Sequence, residues 1–168
     1  MVKGGSEIAL LKRAYRALHV RLEAAWSRRE AGLPVATPYE ALVLASIVEK
    51  ETGRSADRPL IASVLVNRLK RGMRLQTDPT VIYGIGAAFD GNLTRRDLET
   101  DTPYNTYTRD GLPPTPIALP SQASIDAVVD PPDTPYLYFV ARGDGSSEFS
   151  EDLVAHNRAV SKYQKIPH

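Results

Sequence analysis

Three times in the first eighty residues a polar residue and a proline stand together just ahead of an apolar run: Thr37-Pro38, Asp57-Arg58-Pro59 and Thr77-Asp78-Pro79. No other feature limits the fold as strongly. Proline lacks a backbone N–H and has φ fixed near −65°, so it fits the first turn of a helix and disrupts a helix or sheet interior. A Thr or Asp just before it supplies an oxygen that caps the free N–H groups of that turn. Glu40, three residues after Thr37, completes a capping-box pattern. Each start is followed by a stop, at Gly53, Gly72 and Gly84 in turn. The chain is therefore expected to contain two full helices between residues 38 and 72 and a short helical turn over 78–84.

The flanks extend this pattern. Ile8, Leu11, Tyr15, Leu18, Leu22 and Ala25 recur at three- and four-residue steps, with Trp26 beyond them, which predicts an amphipathic helix from residue 6 to about 30. Between residues 90 and 120 the periodicity is lost, and prolines at 103, 113, 114, 116 and 120 predict stiff loops. Ser121 is placed to cap a short helix to Val129, ended by Pro131. Tyr136-Leu137-Tyr138-Phe139-Val140 reads as a strand, Arg142-Gly143-Asp144-Gly145 as a turn, and the region of Phe149 as the returning strand. A last helix covers about 151–164. The fold class is α+β: mainly helical, with a small antiparallel element and long Pro-rich loops. A chain of 168 residues suits one domain over 1–168. Met1-Val2-Lys3-Gly4-Gly5 reads as a fragment end.

Bulk properties exclude several classes. A net charge of +1 offers no electrostatic footprint for nucleic acid. The absence of cysteine removes disulfides and thiolate chemistry. His19, His156 and His168 lack metal-ligand spacing, so neither metal nor cofactor is expected. There is no Gly-rich phosphate loop and no nucleophile elbow.

Chemistry is concentrated where the second helix ends, in Leu44-Ala45-Ser46-Ile47-Val48-Glu49-Lys50-Glu51-Thr52-Gly53. At about 100° per residue, Glu51 falls on the face of Leu44, Ile47 and Val48, and Glu49 falls roughly opposite, toward water. A carboxyl on an apolar face needs a partner or a raised pKa, and a raised carboxyl is what a general acid requires. A helix end that frays at Gly53 and lets Glu51 reach solvent fits the periodicity equally well. Asn67 shares the face of Leu60 and Val64, as a core amide or a site residue. Gln76, Thr77 and Asp78 are ligand-binding candidates, although Asp78 before proline also suits a cap. Tyr104-Asn105-Thr106-Tyr107 mixes flat rings with amide and hydroxyl groups, as sugar-gripping loops do.

Several segments together resemble the YceG-like endolytic murein transglycosylases. They are residues 45–52, Val66-Asn67-Arg68-Leu69, the long run from Gly72 to Gly84, Tyr104-Asn105-Thr106-Tyr107, Gly111-Leu112-Pro113-Pro114, residues 136–141 and His156-Asn157. The likeness implies a lysozyme-like catalytic domain that cuts peptidoglycan strands internally at the MurNAc–GlcNAc bond. It implies 1,6-anhydro ends, a role in limiting strand length, glycan strands as substrate and cell-wall synthases as partners. It also implies a position at the outer face of the bacterial inner membrane, reached through an anchor and a LysM-like module that this chain is expected to lack. Carried onto this sequence, the catalytic glutamate falls in the Glu49-Lys50-Glu51 segment. Glu51 is the expected catalytic residue and Glu49 the secondary candidate, with Asn67, Gln76, Thr77, Asp78, Tyr104 and Asn105 expected to hold the sugar. Two positions depart from the family pattern. Thr115 stands where Pro-Pro-Gly-Pro is common, and Ser147-Glu148 precede Phe149 where a histidine is common. A hydrolase with Asp78 or Asp97 as second carboxylate, and a non-catalytic glycan-binding module, are the rival readings.

Overall fold

The computed structural model describes residues 6–164; Met1 to Gly5, expected to be a fragment end, lie outside the described residues. Seven α-helices and one hairpin follow in chain order: α1 (Glu7–Ser27), α2 (Pro38–Glu51), α3 (Arg58–Lys70), α4 (Asp78–Ile85), α5 (Arg95–Glu99), α6 (Gln122–Val129), β1 (Tyr138–Ala141), β2 (Ser147–Ser150) and α7 (Leu153–Tyr163). The α+β expectation holds.

The Pro-marked starts are where the sequence places them. Thr37 Oγ1 accepts the Glu40 amide at 3.1 Å, while the Glu40 carboxylate reaches the Ala36 N–H at 2.6 Å, one residue beyond a standard box. Asp57 precedes α3 without a capping side-chain bond. The stop signals are uneven. Gly72 takes the left-handed φ of 66°, but α2 ends because Thr52 turns extended, at φ −147° and ψ 139°, with no left-handed glycine.

Burial organises the elements. Leu44, Ile47, Val48, Ile61, Leu65, Ile125 and Val128 are almost wholly buried in one cluster, with α6 lying across α2 and α3. α1 contributes Leu22 and Ala25 to it, with Leu18 and Trp26 packed partly buried against it. Ile8, Leu11 and Tyr15, on the apolar stripe of this helix, are 64–70% exposed. A 21-residue helix is about 31 Å long, and only its C-terminal half overlies α2 and α6.

The segment over 90–120 is ordered by side chains rather than by regular structure. Its one helix, α5, has a true capping box between Thr94 and Asp97, too short to register as periodicity. Asn105 is completely buried. Its Nδ2 donates to the carbonyls of Leu98 at 3.0 Å and Thr100 at 2.8 Å, and its Oδ1 accepts the Tyr107 amide at 2.8 Å. The loop closes on α2 where the Ile117 amide donates to Ser46 Oγ at 3.0 Å.

In the hairpin, β1 and β2 pair antiparallel with Phe139 opposite Phe149. Gly143 and Gly145 take left-handed φ values, and Asp144 accepts the Ser146 amide, so Arg142-Gly143-Asp144 is turn chemistry.

Candidate active site

Glu51 is the last residue of α2 and is half-buried. Its carboxyl is pushed up to about 7, first by burial and second by the negative charge of Asp78. α2 is helical through Glu51, so the helix does not fray before it. A carboxyl at this value carries its proton in a large fraction of molecules near neutral pH, as a general acid must.

Asp78 opens α4, where the helix dipole favours a negative charge. Its Oδ1 accepts a 2.6 Å hydrogen bond from the Tyr107 hydroxyl. Burial, then the bond to Asp78 and the charges of Asp78 and Glu51, push the Tyr107 phenol well above its ordinary value. Tyr107 thus stays protonated and donating. Of the two carboxyls, Glu51 is the one whose surroundings favour the protonated form.

Glu49 is the opposite case, and here the expectation of a water-facing side chain is corrected. The opposite face of α2 is covered by α6. One carboxylate oxygen of Glu49 accepts from the Ser121 amide at 2.9 Å, from Ser121 Oγ at 2.7 Å and from Ser124 Oγ at 2.5 Å, and Arg58 lies 3.7 Å from the other oxygen. Burial works to raise this carboxyl, but the serine hydrogen bonds and the Arg58 charge outweigh it and hold it at about 2. Two glutamates two residues apart are driven in opposite directions by their surroundings.

The remaining sequence candidates divide sharply. Gln76 and Asp78 are exposed beside this site. Asn67 Nδ2 is committed to the carbonyls of Thr134 at 2.8 Å and Tyr136 at 2.9 Å. Thr77 is buried in a hydroxyl cluster with Thr80 and Thr106. Asn105 is the loop hub already described. Tyr104 packs its ring on Tyr83, with centroids 4.8 Å apart, and its hydroxyl meets Thr115 Oγ1 at 2.7 Å. Asn67, Thr77, Asn105 and Tyr104, expected to hold the sugar, are each bonded or packed into the framework. Polar residues near a site are often polar because they hold its irregular backbone.

Two residues of the site were not singled out from sequence. Tyr107 was visible only as part of its tetrapeptide. Arg68 is 7% exposed and stands at helical spacing from Val64 and Leu65, a charge on an apolar stripe like Glu51. Its Nε donates to Leu137 O at 2.6 Å, and its Nη1 to Arg74 O at 2.9 Å, Leu75 O at 3.2 Å and Gln76 Oε1 at 3.4 Å. The guanidinium lies 4.9 Å above the Tyr138 ring, and His156 stacks on the same ring at 5.0 Å. Gln76 is the one non-glycine residue with positive φ, at 52°, among the described residues. A left-handed non-glycine residue costs on the order of 1–3 kcal/mol and persists only where its surroundings fix it.

Among the described residues no group of three His, Cys, Asp or Glu side chains could hold a metal ion, and no helix is long and apolar enough to cross a membrane.

The model of the YceG-like family matches residues 1–162. The chain belongs to the YceG-like family. It is 47% identical over 125 residues to the endolytic murein transglycosylase of Bacillus subtilis, covering 74% of this chain and 34% of that protein. It is 36% identical over 132 residues to the protein of the same name from Streptococcus pneumoniae, covering 76% of this chain and 24% of that one. The crystal structure of a YceG-like protein from Listeria monocytogenes superposes with a TM-score of 0.79 at 36% identity, over 94% of this chain and 50% of that one. The chain thus spans about a third or less of the length of these two named relatives.

The two departures from the family pattern have local uses. Thr115 supplies the hydroxyl that meets Tyr104. Glu148 accepts from Arg142 Nε at 2.8 Å across the hairpin.

Proposed function

We propose that this domain is an endolytic peptidoglycan transglycosylase in which Glu51 acts first as general acid and then as general base. The observation that carries the reading is the contrast between a carboxyl raised to about 7 at Glu51 and one held at about 2 at Glu49. Protonated Glu51 gives its proton to the glycosidic oxygen between N-acetylmuramic acid and N-acetylglucosamine as that bond breaks. The resulting carboxylate takes the proton of the muramoyl 6-hydroxyl, whose oxygen bonds to the anomeric carbon. Glu51 ends protonated, no water is consumed, and the product carries a 1,6-anhydro end. Asp78, held by Tyr107, stabilises the oxocarbenium-like charge, and the exposed amide of Gln76 binds sugar. In the whole protein the activity would trim nascent strands at the outer face of the inner membrane, in company with cell-wall synthases.

Mass spectra of digested glycan strands test this. Anhydro ends are expected, and Glu51→Gln should lower cleavage by about 10²–10⁴-fold while remaining folded. Reducing ends would favour the second reading, a hydrolase with Asp78 as the other carboxylate, which the proximity of Asp78 to Glu51 keeps in play. No cleavage by a folded domain would reduce it to a binding module.

A further inference from the structure

We infer that Arg68 is a positioning residue for the reaction: it clamps the left-handed turn at Gln76 and thereby fixes Asp78 against Glu51. This rests on the proposed role of Glu51.

The turn lies between two fixed ends. On one side the chain leaves α3 at Lys70, and on the other Asp78 opens α4. Residues 71–77 connect them, and three of these, Arg74, Leu75 and Gln76, each offer an oxygen to a single nitrogen, Nη1 of Arg68. Arginine can do this because its donors radiate from a rigid plane. Nε meanwhile ties the same plane to the Leu137 carbonyl, at the entry to β1, and Tyr138 supports its face. One guanidinium therefore joins the end of α3, the hairpin and the turn ahead of α4. The Gln76 and Thr77 amides, donating to Thr106 O at 3.2 Å and Thr106 Oγ1 at 3.0 Å, close the turn from the other side. A non-glycine residue takes φ 52° here because these bonds leave it no alternative. Two residues later the chain delivers Asp78, whose carboxylate is the charge that bears on Glu51.

A lysine at position 68 keeps the charge but has one nitrogen with no fork, so it cannot hold the 137 carbonyl and the turn together. A glycine at position 76 takes the left-handed turn without cost. The charged and titratable groups around Glu51 are Asp78 on α4 and Tyr107 in the loop, with Arg68 behind them.

The test measures kcat, KM and the pH profile of kcat for Arg68→Lys, corrected for the folded fraction from thermal melts. A fall in kcat of about tenfold or more is expected, with the alkaline limb moved to lower pH as Asp78 drifts from Glu51. Adding Gln76→Gly should recover part of kcat, any lost sugar contact appearing in KM. A merely structural arginine would lower the melting temperature and leave kcat per folded molecule and the limb unchanged. That result, or a double variant no better than Arg68→Lys alone, overturns the proposal. Should Arg68→Lys not fold, Tyr138→Leu, which removes the ring beneath the guanidinium, should lower kcat in the same direction; unchanged kcat and limb would refute it. Wild-type domain that releases no anhydro ends would instead refute the function itself.

Discussion

Replacing Asp78 by Asn removes one negative charge beside Glu51 and leaves an oxygen that can still accept from Tyr107. The Glu51 carboxyl rises from 4.5 to about 7, with burial the larger cause and Asp78 the smaller. The whole rise corresponds to about 3.4 kcal/mol, so Asp78 contributes less than half, up to about one pH unit. Asp78→Asn should therefore move the alkaline limb of kcat/KM down by about that amount. Near pH 7 the protonated fraction of Glu51 would fall from about one half to about one tenth, a loss of roughly fivefold. Near pH 5, where Glu51 is protonated in both proteins, this effect should nearly vanish. A carbon NMR titration of the Glu51 carboxyl gives the same quantity without turnover. Tyr107→Phe is the control, since it leaves the Asp78 charge in place and the limb near its original position. An Asp78→Asn variant slowed equally at every pH, with the limb unmoved, would refute the electrostatic argument and make Asp78 a contact residue.

Other outcomes follow from the same geometry. Between 4.5 and about 7 the folded domain keeps a proton on Glu51 that the unfolded chain releases, so stability falls as pH rises through that window. Glu51→Gln should therefore be more stable than wild type at about pH 8, by about 1–3 kcal/mol in urea melts, and equal to it near pH 4. Glu49 has the opposite sign, because its folded carboxyl lies at about 2 against an ordinary 4.5. Its stabilisation is present above 4.5 and is lost as pH falls toward 2; Glu49→Gln should cost about 1–3 kcal/mol at neutral pH, with the gap closing in acid melts. Gly84→Ala would place a Cβ 2.7 Å from Thr102 Oγ1 and 3.3 Å from Tyr104 Cβ, displacing the hydroxyl that accepts the Tyr104 amide. Despite the better helix propensity of Ala, a loss of about 1–2 kcal/mol is expected by calorimetry.

The helices were legible because their signals are local. Thr37-Pro38 and Ser121 cap as their side chains suggest, with Oγ of Ser121 accepting the Ser124 amide at 3.3 Å. The face of Glu51 follows from helical spacing, but its burial does not, since an end frayed at Gly53 has the same spacing. What escaped was nonlocal. Glu49 looked solvent-facing because nothing within α2 reveals that α6, some seventy residues later, covers that side. Asn105 and Thr77 looked like ligand-binding groups because a polar residue's type does not say whether it bonds to a sugar or to its own loop. The stripe of α1 is helical as its spacing predicts, but periodicity reports a face and not how much of it a neighbour covers. Arg68 shows how the same test used on Glu51, a charge on an apolar stripe, finds a framework residue too.

The wholly buried amide of Asn105 has a consequence for how the domain fails on heating. It fastens the carbonyls of Leu98 and Thr100 and the amide of Tyr107, in a segment with few core side chains of its own. Such segments open as units at a free energy below that of global unfolding. When this one opens, Tyr107 leaves Asp78 while α2, α3 and α6 stay packed. On the proposed mechanism, cleavage should therefore be lost at a lower temperature than the fold. Cleavage should decline reversibly at temperatures where helical circular dichroism is still unchanged, and exchange of the Tyr107 amide should follow the loss of activity rather than the loss of helix.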